Sequence, residues 1–140
     1  MIVLDTNILS ELMRPAPNPA VVAWLDRQKP GDVATTTITA AEILFGIERL
    51  PAGQRRDTFT VLAADMFDQD FAGRLLPFDA IAASLYARQM AALESRGKPI
   101  AMADGQIAAI CQANRATLAT RNTKDFENME VVLINPWQQG

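Results

Sequence analysis

Met1-Ile2-Val3-Leu4-Asp5-Thr6-Asn7 decides how this chain is read: an apolar run with strand character ends on a carboxylate and passes into a helical segment. In parallel α/β sheets ligands bind in the crevice beyond the carboxyl ends of the strands, so an acid at such an end sits on the rim of that crevice. The pattern recurs twice. Thr35-Thr36-Thr37-Ile38 leads into Thr39-Ala40-Ala41-Glu42, and Ile100-Ala101-Met102-Ala103 leads into Asp104, each acid opening an apolar helical stretch. Each acid also has a purely local explanation. Asp5 suits a helix N-cap, Thr39-x-x-Glu42 matches a capping box, and Asp104 suits the positive end of its helix dipole. Brought to one sheet edge, three carboxylates ionised at pH 7 would repel one another unless a cation neutralised them.

Short apolar or β-branched runs predict strands over residues 2–5, 33–38, 75–78, 117–120 and 131–134. Apolar residues at helical spacing predict helices over 19–28, 40–49, 55–71, 79–96 and about 103–114. The alternation predicts an α/β domain with a mainly parallel sheet and right-handed crossovers. Punctuation agrees with these boundaries. Arg14-Pro15-Ala16-Pro17-Asn18-Pro19 and Pro30-Gly31-Asp32 are breaks, Leu50-Pro51-Ala52-Gly53 separates two helices, and Gly97 before Lys98-Pro99 reads as a helix C-cap. Asp79 reads as an ordinary N-cap, and Trp24 and Trp137 as packing residues.

With 140 residues, 49% of them hydrophobic, the chain has apolar material for one core, and a single domain over 1–140 is expected. No apolar run approaches the roughly 20 residues needed to span a bilayer, and no basic segment followed by a long apolar one opens the chain. No membrane attachment and a cytoplasmic location are therefore expected. The single cysteine, Cys111, lies in an apolar helical run and reads as a buried thiol. Histidine is absent altogether, which removes histidine-based triads, general bases and zinc sites. What remains is carboxylate, hydroxyl and cationic chemistry, and clustered carboxylates suit Mg²⁺ or Mn²⁺. A net charge of -3 means that any polyanionic substrate must be attracted locally.

Four segments carry a family resemblance: Leu4-Asp5-Thr6-Asn7 with Ser10-Glu11; Ile38-Thr39-Ala40-Ala41-Glu42-Ile43-Leu44-Phe45-Gly46-Ile47; Ala103-Asp104-Gly105-Gln106-Ile107-Ala108; and Ala119-Thr120-Arg121-Asn122-Thr123-Lys124-Asp125-Phe126. In order and over the whole chain they resemble PIN-domain proteins, and more narrowly the VapC/FitB toxins of type II toxin-antitoxin systems. The resemblance implies a three-layer α/β/α sandwich and Mg²⁺- or Mn²⁺-dependent endonucleolytic cleavage of RNA. By position, Asp5, Glu42 and Asp104 are the metal-binding, catalytic acids. Thr6 and Thr120 match hydroxyls that line the family's site. The family's fourth acid is replaced by Asn122, which brings no charge, and Asp125 is the candidate substitute if the turn carries it inward. Arg121 and Lys124 lie beside the site as candidate phosphate contacts, while Arg55-Arg56 and Arg96-x-Lys98 read as solvated charge.

The resemblance further implies a homodimer, and neutralisation by a small VapB/FitA-like antitoxin through which the complex reaches operator DNA. Leu9, Leu12, Leu44, Phe45 and Ile47 are the apolar residues available for such contacts, or for the core. The alternative is a degenerate PIN domain that binds RNA or an antitoxin without cutting. A phosphate-transfer enzyme of the haloacid-dehalogenase type would want a second aspartate where Asn7 stands. A receiver domain would want paired acids near the start and a lysine after a late strand, and neither appears cleanly.

Overall fold

The computed structural model describes residues 1–138. Its centre is β1 (Ile2–Leu4), flanked by β2 (Val33–Thr36) and β4 (Thr117–Ala119), with β3 (Leu75–Leu76) and β5 (Leu133–Ile134) at the edges. The order is β3-β2-β1-β4-β5, and every pairing is parallel. Around the sheet lie α1 (Thr6–Leu12), α2 (Pro19–Asp26), α3 (Thr37–Glu48), α4 (Gln54–Asp65), α5 (Ala80–Ser95) and α6 (Met102–Ala113). The expected α/β/α sandwich is the fold observed.

Local chemistry sets the helix ends. Asn18 accepts the Ala20 N–H at 2.9 Å, with Pro19 at the first helical position where no amide donor is needed. Asp79 accepts the Ala82 N–H at 3.0 Å, the cap its position predicts. Gly97, at φ +68°, takes the left-handed turn that closes α5 and lets the Lys98 N–H reach the Leu93 carbonyl at 2.9 Å.

Two boundaries differ from those expected. β2 stops at Thr36 and α3 begins at Thr37, because the Thr36 hydroxyl accepts the Thr39 N–H at 3.0 Å. The cap is thus three residues earlier than Thr39, and the capping box of Thr39 with Glu42 does not form. Glu42 is left in the helix body, free for other work. The helix expected over 55–71 ends at Asp65 and widens into a π-helical turn over Met66–Asp70, where the Phe71 N–H reaches the Met66 carbonyl at 3.0 Å. That wider turn aims Met66 and Phe71 together into the core.

Alternation along β1 divides the core. Leu4 packs with Ile8, Val21, Trp24 and Ile43 on the side of α1, α2 and α3, whereas Val3 packs with Leu93, Ile107 and Cys111 on the side of α5 and α6. Burying each such side chain contributes about 1.5–3 kcal/mol. No helix among the described residues is long and apolar enough to cross a membrane.

The residue after Asp104 controls how closely α6 approaches α5. A Cβ on Gly105 would stand 2.6 Å from the Met90 Sδ and 3.0 Å from the Tyr86 ring. Gly105→Ala is therefore expected to destabilise the protein by about 1–3 kcal/mol through overpacking, with the cost tempered by the mobility of the Met90 side chain. Thermal melting of the variant checks this; an unchanged melting temperature would mean that Met90 and Tyr86 yield without cost.

Candidate active site

The strand order places a topological switch between β1 and β4: from β1 the chain runs to β2 and β3 on one side, and β4 and β5 fill the other. A crevice opens where such connections part. Asp5 leaves β1 at this point and Thr120 leaves β4, and the Asp5 N–H donates to the Ala119 carbonyl at 2.9 Å. Asp5 is only 4% exposed. Its Oδ1 accepts the Thr6 N–H at 2.8 Å, and its Oδ2 accepts the Thr120 hydroxyl at 2.7 Å and the Asn7 amide at 3.3 Å. Asp5 thus caps α1 through Oδ1 while its Oδ2 is held by Thr120 and Asn7 at the cleft.

The Thr120 hydroxyl also accepts from the Asn7 amide at 3.2 Å and from the Asn122 N–H at 3.1 Å, so that its lone pairs and proton are all engaged. The Thr6 hydroxyl donates to Glu42 Oε1 at 2.7 Å and lies 3.2 Å from the buried Thr39 hydroxyl. α1 therefore holds a carboxylate of α3 across the sheet edge. Asp104 stands half-buried in the first turn of α6.

Asp5, Glu42 and Asp104 come from three separate segments and line one cleft of about 560 Å³, together with Thr6, Asn7, Asn122, Arg121 and Trp137. Their crowding registers electrostatically. Asp104 is pushed up to about 6 from an ordinary 3.8, first by burial and then by the charges of Asp5, Asp125 and Glu42. Burial raises Asp5 as well; the bonds from Thr120 and Thr6 oppose that shift, and Glu42 adds to it. The donors are all oxygen, the set a hard divalent cation prefers, and cation charge is what the raised Asp104 lacks. Even so, no group of three or more acidic or cysteine side chains among the described residues closes into a ready-made cage. The arrangement is an open one, of the kind in which a cation such as Mg²⁺ keeps several waters.

Not every candidate falls in this cleft. Asn122 lines it and is exposed, but Asp125 and Lys124 do not. The turn over Thr123–Phe126 buries Phe126 in the core, which carries Lys124 and Asp125 to a neighbouring cleft shared with Lys98 and the other side of Asp104. Asp125 therefore lines a cleft with Asp104 but not with Asp5 and Glu42, and its charge is felt by Asp104. Lys98, expected as solvated charge, lies in that second cleft. Arg56 pairs with Glu48 at 2.8 Å, and Arg55 lies over the Phe59 ring.

Five residues of the cleft, Asn7, Ser10, Glu11, Arg14 and Trp137, were given no site role from sequence. Asn7 is its bridge: its amide reaches Asp5 and Thr120, while its Oδ1 accepts the Arg121 N–H at 3.1 Å. Glu11 lines the cleft but is engaged elsewhere, with Arg14 Nη1 at 3.2 Å and the Asn18 N–H at 3.0 Å, closing the loop between α1 and α2. Trp137, expected only as packing, packs on the cluster around Val21 and Trp24 but also forms part of the cleft wall, with the Arg121 guanidinium 5.0 Å from its ring centre. Cys111 is fully buried and its thiol is pushed up to about 12, first by burial, so it supplies no nucleophile.

A parallel α/β/α sandwich with carboxylates from three segments gathered at the strand ends defines the class. A model of the PIN domain matches residues 2–132, and the chain belongs to the PIN-domain family. It is 44% identical to a VapC ribonuclease of Sinorhizobium fredii over 99% of both chains. It is 42% identical to the toxin FitB of Neisseria gonorrhoeae, over 98% of this chain and 99% of that one. A solved structure of FitAB bound to a DNA fragment contains a chain 43% identical to this one, with a TM-score of 0.88, covering 100% of this chain and 98% of that one.

Proposed function

We propose that this protein is the toxin of a type II toxin-antitoxin pair and a metal-dependent endoribonuclease. The observation that carries the reading is the cleft in which Asp5, Glu42 and Asp104 meet, with Asp104 pushed up to about 6 by burial and its acidic neighbours. Those three side chains would hold Mg²⁺ or Mn²⁺, which when bound acidifies a water and offsets the charge that builds on a phosphodiester. The residues around them orient and admit. Thr120 and Asn7 fix the Asp5 carboxylate, and Thr6 fixes Glu42. Asn122 offers a neutral carbonyl at the fourth position. Arg121 on one side of Asp104 and Lys124 on the other supply positive charge along a path for the RNA backbone.

The partners follow from relatives. One relative is called a ribonuclease and another a toxin, and FitAB has been solved on DNA. A VapB/FitA-like antitoxin would hold this chain inactive in the cytoplasm and carry the complex to operator DNA. A mostly apolar cavity of about 840 Å³ between α1, α2 and α4, into which Leu12 and Phe59 open, supports such a companion. Leu44 and Phe45 are exposed on α3 and suit a homodimer contact, whereas Leu9 and Ile47 are buried in the core.

The test is cleavage of single-stranded RNA by the purified chain. Cleavage with Mg²⁺ or Mn²⁺, abolished by chelation and restored by either ion, is expected. Cleavage indifferent to chelation would remove the metal from the mechanism. RNA that is bound but left intact with both ions would select the non-cleaving reading.

A further inference from the structure

We propose that Arg121 and Trp137 form a stacking platform for the nucleobase next to the cleaved phosphate; the proposal rests on the RNA-cleavage reading above. The Arg121 guanidinium lies over the Trp137 ring at 5.0 Å, within the range of a cation–π contact, and both residues line the cleft that holds the three acids. Trp137 is half-buried against the core, whereas Arg121 is exposed, so the ring backs the guanidinium and leaves it open to solvent.

A guanidinium held over a ring is a planar surface, and unstacked RNA bases lie on such planes. The pairs Arg49 with Phe45 and Arg55 with Phe59 make the same contact, but none of those four residues lines the acidic cleft. Location singles out Arg121, and so does its tether. Asn7 accepts the Arg121 backbone N–H through one end of its side chain and donates to Asp5 through the other, which ties the main chain at the platform's base to the acids, while Trp137 holds the guanidinium itself. A base seated on Arg121 would thereby set which phosphate faces the carboxylates.

The experiment uses a single-stranded oligoribonucleotide containing a site that the wild-type protein cuts, and versions carrying an abasic nucleotide at each position flanking the cut. Arg121→Lys keeps the charge and removes the plane; its KM is expected to rise roughly 5- to 100-fold, the range for one base stack, with kcat little changed. An abasic nucleotide at one flanking position should raise the wild-type KM similarly and add little in Arg121→Lys, the non-additivity of a shared contact. Trp137→Leu, which keeps an apolar side chain against the core, should raise KM in the same way. An Arg121→Lys protein with wild-type KM, or abasic and lysine effects that simply multiply, would overturn the platform. A wild-type protein that cuts no RNA would instead overturn the reading on which it rests.

Discussion

Replacing Asp104 with asparagine is expected to lower RNA cleavage by about 10²-fold or more and, in the metal-free protein, to raise the melting temperature. On the proposed function, the loss follows from removing one of the three carboxylates that would hold the cation, whose charge stabilisation is worth several kcal/mol at about 1.4 kcal/mol per tenfold in rate. The gain follows from electrostatics. Asp104 is pushed up to about 6, so its ionised form at pH 7 burdens the folded state. Because the side chain is only half-buried, solvent screening reduces that burden to about 1 kcal/mol, or roughly 3–5 °C.

The pH dependence has a definite sign. A carboxyl whose folded value is raised contributes stability below its unfolded value of 3.8 and loses it as pH climbs through about 6. The wild-type advantage in acid should therefore disappear between about pH 4 and 6, a slope that Asp104→Asn lacks. Cation affinity should run the other way, weakening below about pH 6 as protons compete for the same oxygens. Melting curves across that range, with and without Mg²⁺, read both effects. An Asp104→Asn protein that cuts RNA at the wild-type rate, or melts lower than wild type without metal, would contradict the site.

Asp5→Ala is expected to abolish cleavage to the same degree but to move stability in the opposite direction. Here the carboxylate is the hub of the fold's own hydrogen bonds: it accepts from Thr6, Thr120 and Asn7 at 2.8, 2.7 and 3.3 Å and caps α1. Alanine leaves those donors facing a small void and removes the cap, at a cost of about 1–3 kcal/mol for the unsatisfied groups and about 1 kcal/mol for the cap. Relief of the buried charge offsets part of this, and a net loss of about 1–2 kcal/mol remains. Paired melting curves of Asp5→Ala and Asp104→Asn should thus diverge from wild type in opposite directions. If both fell together, Asp104 would be structural in the way Asp5 is.

Much of this arrangement was legible because it depends on local rules. A short apolar strand ending in an acid, repeated changes between strand and helical patterning, and proline or glycine punctuation gave each strand within a few residues. Asp79 and Gly97 behave at helix ends as their neighbours in sequence require. Thr39 was misread for an equally physical reason: Thr36 and Thr39 both suit a cap, and only the end of β2 selects between them.

By itself the sequence determined the parallel α/β architecture, the absence of histidine chemistry, and the three carboxylates to look for, since apolar patterning and side-chain type are properties of short segments. Tertiary structure alone decided the remainder. Asn7 bridges to Thr120 and Arg121, Trp137 returns to the cleft and meets Arg121, and Asp125 turns away while still acting on Asp104 through its charge. Each of these is a contact between segments far apart in the chain, set by how β1 and β4 lie side by side and by which face of the Thr123–Phe126 turn buries Phe126. No pattern within one segment encodes such a meeting, because the free energy that fixes it belongs to the packed sheet.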